Sequence, residues 1–166
     1  MLNKKMKFKD WHGKEHELPE GRTSKWRPSA SALIIKDEKV LMVKSKQHKK
    51  WELPGGGVEL GEMVGEGLKR EVFEETGYEI EIKNNKIIHF ENTLFYAPDV
   101  DEYFETIIMF FEAELKNEEQ KKDHIDFDHE IQEIKWISIN ELENYEIKDM
   151  SKKAISQIIV SKKDSS

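Results

Sequence analysis

The 166-residue chain carries 27 basic and 34 acidic side chains, a formal charge of −7, and no cysteine. Disulfides, thiolate zinc sites and a cysteine nucleophile are therefore excluded, and the acidic balance makes the chain a poor general partner for nucleic acid or anionic membranes. The length suits one domain with a real hydrophobic core, and apolar runs such as IIMFF at 107–111 are too short to cross a bilayer.

The first 27 residues read differently from the rest. KFKDWHGKEHEL suggests a small hairpin turning at His12-Gly13, followed by a connector, LPEGRTSKWRP. No apolar stretch of a secretory signal precedes it, so the expected location is cytoplasmic. Residues 30–36 and 39–45 are two β-prone runs flanking Asp37-Glu38, a hairpin signal. A basic loop, with Lys44, Lys46, His48, Lys49 and Lys50 in or beside it, leads to WELPGGG, where proline and glycine punctuate strongly. From Glu62 to Thr76 the pattern turns helical, with Val64, Leu68 and Val72 on one buried stripe and Gly77 placed to end the helix. Residues 78–83, 86–90 and 104–115 read as strands, and 116–129 as a loop. A strand at 133–139 leads to a helix capped by Asn140, and a last helix covers about 151–161. Helices flanking a mixed sheet make the class α/β or α+β.

The chemistry concentrates in GGGVELGEMVGEGLKREVFEETG, Gly55 to Gly77. Three carboxylates within one and a half helical turns repel one another by a few tenths of a kcal/mol per pair, so the usual reading is a solvated acidic face. Here, however, Glu71 stands at i, i+3 and i, i+4 to Glu74 and Glu75, so the three can converge on one region. Arg70 can reach Glu74, and the apolar stripe fixes the helix beneath them. Hard oxygen ligands arranged this way suit Mg²⁺ or Mn²⁺, and the glycines before the helix admit main chain close to a ligand.

Gly56, Glu62, Arg70, Glu71, Val72, Glu74, Glu75 and Gly77 keep every spacing of the signature of the Nudix hydrolases, which this segment resembles; only Tyr78 stands where an aliphatic residue is usual. The resemblance implies an α/β/α sandwich around a mixed β-sheet, as residues 28–166; residues 1–27 are read as an N-terminal extension, with Trp11 and Trp26 as apolar anchors for a lid over the nucleoside pocket or a homodimer contact. It implies Mg²⁺ or Mn²⁺ held by Glu71, Glu74, Glu75, the Gly55 carbonyl and an acidic residue from outside the motif. For that residue Glu130 is preferred over Asp128, Glu133 and His129. The implied catalytic set is Glu71, Glu74, Glu130 and Arg70, with Glu71 and Glu130 both open as the base, and with Gly56, Glu62 and Gly77 in support. Arg27, Ser29, Lys44 and Lys46 are the expected substrate contacts. Trp51 and Trp136 are expected in the core rather than against a base.

The motif defines diphosphate hydrolysis but not the substrate. Asn92 stands where ADP-ribose hydrolases carry a proline, and Tyr96 lies beyond the usual tyrosine of dinucleoside polyphosphate hydrolases. By exclusion the chain resembles the MutT-like pyrophosphohydrolases, which convert a nucleoside triphosphate to the monophosphate and diphosphate. Nucleoside diphosphate sugars and dinucleoside polyphosphates are the alternative substrates, and a non-catalytic nucleotide sensor is the alternative class.

Overall fold

The computed structural model describes residues 6–125 and 131–163. Its strands in chain order begin with β1 (Lys7–Lys9), β2 (Glu15–Glu17), β3 (Lys25–Trp26), β4 (Ser29–Lys36), β5 (Lys39–Ser45), β6 (Trp51–Glu52) and β7 (Gly55–Gly57). Helix α1 (Val64–Thr76) follows, then β8 (Ile80–Ala97), β9 (Glu102–Leu115), β10 (Ile131–Ser138) and α2 (Asp149–Lys163). The strands form one curled mixed sheet in the order β10-β5-β4-β9-β8-β1-β2, with β3 on β9, β6 on β5 and β7 on β4.

Asp37 and Glu38 both take positive φ, 48° and 57°, as a two-residue turn matched to strand twist requires. The β4–β5 hairpin stays paired only at its tip, Ile35 to Val40 and Lys36 to Lys39. Beyond it the strands part, and the glycine strand β7 takes the vacated edge of β4 from Ser29 to Ser31. On its other edge β4 runs parallel to β9. This parting positions the site, because it threads the glycines into the sheet directly beneath α1.

Alternation along β4 divides the core into two layers. Ala30, Ala32 and Ile34 face α1 with Leu41, Leu68, Val72 and Ile80. Leu33 faces the other way, with Met42, Trp51, Phe110, Ile137 and Ile155 under α2. A helix on each face of the mixed sheet is the expected sandwich. Leu68 and Val72 are fully buried, a gain of about 1.5–3 kcal/mol each, and this anchors the helix that carries the carboxylates. Among the described residues no helix is long and apolar enough to span a membrane.

The hairpin expected at His12-Gly13 forms, closed by Asp10, whose carboxylate accepts the His12 and Lys14 amides and pairs with His16 at 2.8 Å. It docks on its own chain: β1 runs parallel to β8 through Lys9 and Phe95, and Phe8 is fully buried, edge-on to Tyr103.

Three local expectations need correction. The runs at 78–83 and 86–90 are parts of one long strand, β8, interrupted by Asn84 and Asn85 at positive φ and by register shifts between Ile82 and His89. Asparagine tolerates that conformation, so the interruption is a bulge and not an end. The segment after Ser138 is a 3₁₀ helix, Ile139–Asn144, and not an α-helix capped by Asn140. It stops because Glu146 to Lys148 leave to bond both backbone groups of Trp51. Helix α1 starts at Val64, with Glu62 in the turn before it; Met63 is its N-cap, and Glu66 accepts the Met63 amide at 3.1 Å. The two helix glycines have separate reasons. A Cβ at Gly65 would lie 3.2 Å from Ile82, and one at Gly67 would lie 2.7 Å from the Glu62 carboxylate rather than meeting the sheet.

Candidate active site

A cavity of about 270 Å³ opens between the N-terminal half of the glycine loop and α1. Gly55, Gly56, Arg27, Glu71, Glu74 and Glu75 contribute to its lining. At its centre Arg70 makes five contacts. It grips Glu62 with two nitrogens, Nε at 2.9 Å and Nη2 at 3.0 Å. Its Nη1 donates to Glu71 at 2.9 Å and Glu74 at 3.2 Å, while Nη2 also donates to the Gly57 carbonyl at 3.1 Å. A planar guanidinium with five donors can serve loop and helix together, which lysine cannot.

These contacts bias the charges. The Arg70 hydrogen bonds and the Glu59 amide bring the Glu62 carboxyl down to about 2, so it is ionised throughout the neutral range. Glu62 in turn raises Arg70 above its ordinary value. Glu62 is thereby committed to Arg70 and to the loop, since it also accepts the Glu59 amide at 3.0 Å.

The glycines are explained by what lies against them. The Gly55 amide donates to Glu75 at 2.7 Å, tying the loop to the last turn of α1. Gly55 has φ 143°, and a Cβ there would sit 2.1 Å from the Ala30 carbonyl oxygen. At Gly56 a Cβ would lie 2.4 Å from a Glu71 carboxylate oxygen. Only a bare backbone lets that carboxylate approach the loop so closely. Gly77, at φ 70°, closes the helix through its amide to Phe73.

The expected residues divide by location. Glu71, Glu74, Glu75, Arg70, Gly55, Gly56 and Arg27 line one cavity. Ser29 pairs with Gly57 through the backbone, and the Lys44 ammonium lies 5.8 Å from the Trp51 ring centroid; neither is in the lining, nor is the exposed Lys46. Glu133 is exposed on β10 opposite Lys44. Glu130, with Asp128 and His129, lies outside the described residues. Trp51 is buried in the α2-side core, and Trp136 is half-buried, edge-on to Tyr78. Sequence reasoning missed Glu59 and Ile131 in the lining and the Gly57 carbonyl as an Arg70 acceptor. Glu59 had a usable signal, three residues before Glu62 in a turn; Ile131 had none.

The donor set suits a hard divalent cation: carboxylate and carbonyl oxygens, no sulfur and no imidazole among the lining residues. Among the described residues no three acidic or histidine side chains are gathered into a ready-made cage; Glu71 and Glu74 turn to Arg70, and Glu75 to the Gly55 amide.

Comparison with known proteins agrees with this geometry. The family model described as NUDIX domain matches residues 25–158. A protein named nucleoside triphosphatase NudI, from an Enterobacter species, is 29% identical over 110 residues, which cover 64% of this chain and 74% of the relative. Among solved structures, a NUDIX hydrolase from Nitrosomonas europaea superposes with a TM-score of 0.66 at 20% identity, covering 82% of this chain and 90% of the other. A MutT NUDIX hydrolase from Burkholderia pseudomallei superposes at 0.60 and 20% identity, over 81% and 99% of the two chains. With Gly56, Arg70, Glu71, Glu74 and Glu75 of the signature brought to one cavity and the family match spanning most of the chain, this protein belongs to the Nudix hydrolase family.

Proposed function

We propose that the protein hydrolyses nucleoside triphosphates to nucleoside monophosphate and diphosphate. The observation that carries this reading is the convergence of Glu71, Glu74 and Glu75 with Arg27 on one cavity. The triphosphate assignment is supported by the nucleoside triphosphatase name of a relative that is 29% identical over 110 residues.

Glu71, Glu74, Glu75 and the Gly55 carbonyl would hold Mg²⁺ or Mn²⁺, and Glu130 is proposed as a further ligand. Such ions, when bound, offset phosphate charge and lower the pKa of water. The chain's own groups do the remaining work. Arg27 offers a guanidinium to a phosphate oxygen at the cavity wall, and is the best supported of the four expected substrate contacts. Arg70 holds Glu71 and Glu74 in orientation from behind, as a positioning residue. Glu71 and Glu130 are the two carboxylates proposed to take the proton of the attacking water. Glu130 directly precedes Ile131, which lines the cavity. In the balanced reaction one water adds across a phosphoanhydride, its oxygen joining one phosphorus while the other phosphate leaves with the bridging oxygen.

Product analysis tests the proposal. Purified protein with Mg²⁺ is offered common and oxidised nucleoside triphosphates, ADP-ribose, sugar nucleotides and dinucleoside polyphosphates, with Glu74→Gln as control. Release of diphosphate from triphosphates, abolished by the substitution, is expected. Turnover confined to another class would replace the substrate assignment. Binding without turnover of any substrate would favour the sensor.

A further inference from the structure

The diphosphate cavity, at about 270 Å³, is below the roughly 300–1,000 Å³ of ordinary small-molecule pockets. The organic part of a nucleotide therefore needs surface outside it. Arg27 indicates the direction. Besides lining the cavity, its guanidinium lies 5.5 Å from the centroid of the Phe104 ring.

Phe104 begins a short floor on the β8–β9 ribbon. Cross-strand partners share a face, so Phe95 with Phe104 and Thr93 with Thr106 lie side by side on one surface. Two features of this floor are unexplained by packing alone. The Thr106 hydroxyl is buried and has no hydrogen-bond partner, although buried polar groups are nearly always paired. Phe95 is covered by Trp11, ring centroids 4.1 Å apart, and Trp11 belongs to the N-terminal hairpin, outside the family match.

Trp11 is held in place from several sides. Its other neighbour is the His48 ring at 6.5 Å. His48 takes the Lys50 amide on Nδ1, so Nε2 carries the proton donated to Glu52 at 2.9 Å; Glu52 is in turn held by Lys148 at 2.5 Å. The hairpin is fastened by buried Phe8, by the Asp10–His16 pair, and by His16 against Tyr96 at 4.4 Å. An indole fixed on a firm backing and still partly exposed is a stacking surface for any planar base.

We propose that the N-terminal hairpin walls the nucleobase site of this enzyme, with Trp11 stacking on the base and the Thr106 hydroxyl as its hydrogen-bonding floor. The inference rests on the nucleotide reading of the neighbouring cavity. It makes the hairpin, which the family match leaves out, a determinant of which nucleotide is accepted.

The test uses the full chain and adenosine and guanosine monophosphates as probes. The Trp11 indole N–H resonance, identified by its loss in Trp11→Phe, is followed during titration of wild-type protein. It is expected to shift and saturate. Trp11→Ala is expected to raise KM for nucleoside triphosphates about tenfold, with most of the effect in KM, whereas Trp11→Phe stays within about twofold. Thr106→Val, nearly isosteric, is expected to raise KM without lowering the melting temperature. A Trp11 resonance that stays still at saturation, or failure of either monophosphate to bind at millimolar concentration, overturns the proposal. So does an unchanged KM in a folded Trp11→Ala. Hydrolysis itself is read separately through Glu74→Gln, which leaves the Trp11 resonance in place, so the two readings can fail independently.

Discussion

Two clusters of charge sit on either side of the glycine loop, and they are built on opposite rules. Behind the loop, Glu52 is matched by Lys148 and His48. Burial pushes its carboxyl up, but the Lys148 charge and the His48 hydrogen bond outweigh this and hold it below the ordinary value. In front of the loop, one Arg70 faces Glu62, Glu71 and Glu74, with Glu75 beside them. The first cluster is balanced and fastens β6 to the start of α2. The second has a surplus of negative charge that no fold requires. A balanced, half-buried cluster indicates architecture, and an unbalanced one at a cavity indicates a function.

Substitutions can break that contrast. The largest effect expected is on turnover: Glu74→Gln should lower kcat by about a hundredfold or more, since metal-clamped charge is worth several kcal/mol at the transition state. Thermal unfolding of the same variant without metal should show stability unchanged or a few tenths of a kcal/mol higher, because one repelling charge is gone. A loss above about 1 kcal/mol would place Glu74 among the structural groups. Arg70→Ala leaves three carboxylates without their shared donor and should cost about 2 kcal/mol in urea denaturation, with turnover falling as well. Glu52→Gln should cost about 1–2 kcal/mol, read as a lower melting temperature rather than a lower kcat. If it removed turnover from folded protein, the balanced cluster would not be merely architectural.

Acid titration sharpens the contrast at smaller amplitude. Glu62 has a folded value of about 2 against an ordinary 4.5. A lowered carboxyl contributes stability that is fully present above about 4.5 and is lost as pH falls toward 2. The melting temperature of wild type should therefore drop across that interval, and Glu62→Gln should drop less. Parallel curves for the two proteins would show that the Glu62–Arg70 grip adds nothing to folding. The smallest effect is expected at Gly65: alanine gains helix propensity but crowds Ile82 at 3.2 Å, so the net change should stay within about 1 kcal/mol.

Much of the candidate site was legible because it is local. Glu71, Glu74, Glu75 and Arg70 lie on one helix, whose geometry follows from 3.6-residue periodicity, and the motif spacing carried the rest. The β4–β5 hairpin was equally readable, since Asp37 and Glu38 mark its turn. What could not be read depended on distant pairing. The 3₁₀ helix at Ile139–Asn144 ends where Trp51 captures Glu146 and Lys148, nearly a hundred residues away in sequence. The position of the Arg27 guanidinium against Gly57 and Phe104 likewise depends on strands far apart in sequence. Trp11 beside Phe95 follows from a sheet-edge contact that no periodicity announces.

The bulge at Asn84 and Asn85 has a consequence beyond local shape. Had the register of Ile82 with Ala113 run on unbroken, Glu91 would lie opposite Phe104; with the shifts, Phe95 does. The residue that lies beneath Trp11 and beside Phe104 is therefore chosen by chain length some ten positions upstream. One residue more or fewer at this exposed elbow would slide a different set of side chains along β9 while leaving α1 where it is. The face of the ribbon and the carboxylates of α1 are thus set by separate stretches of chain.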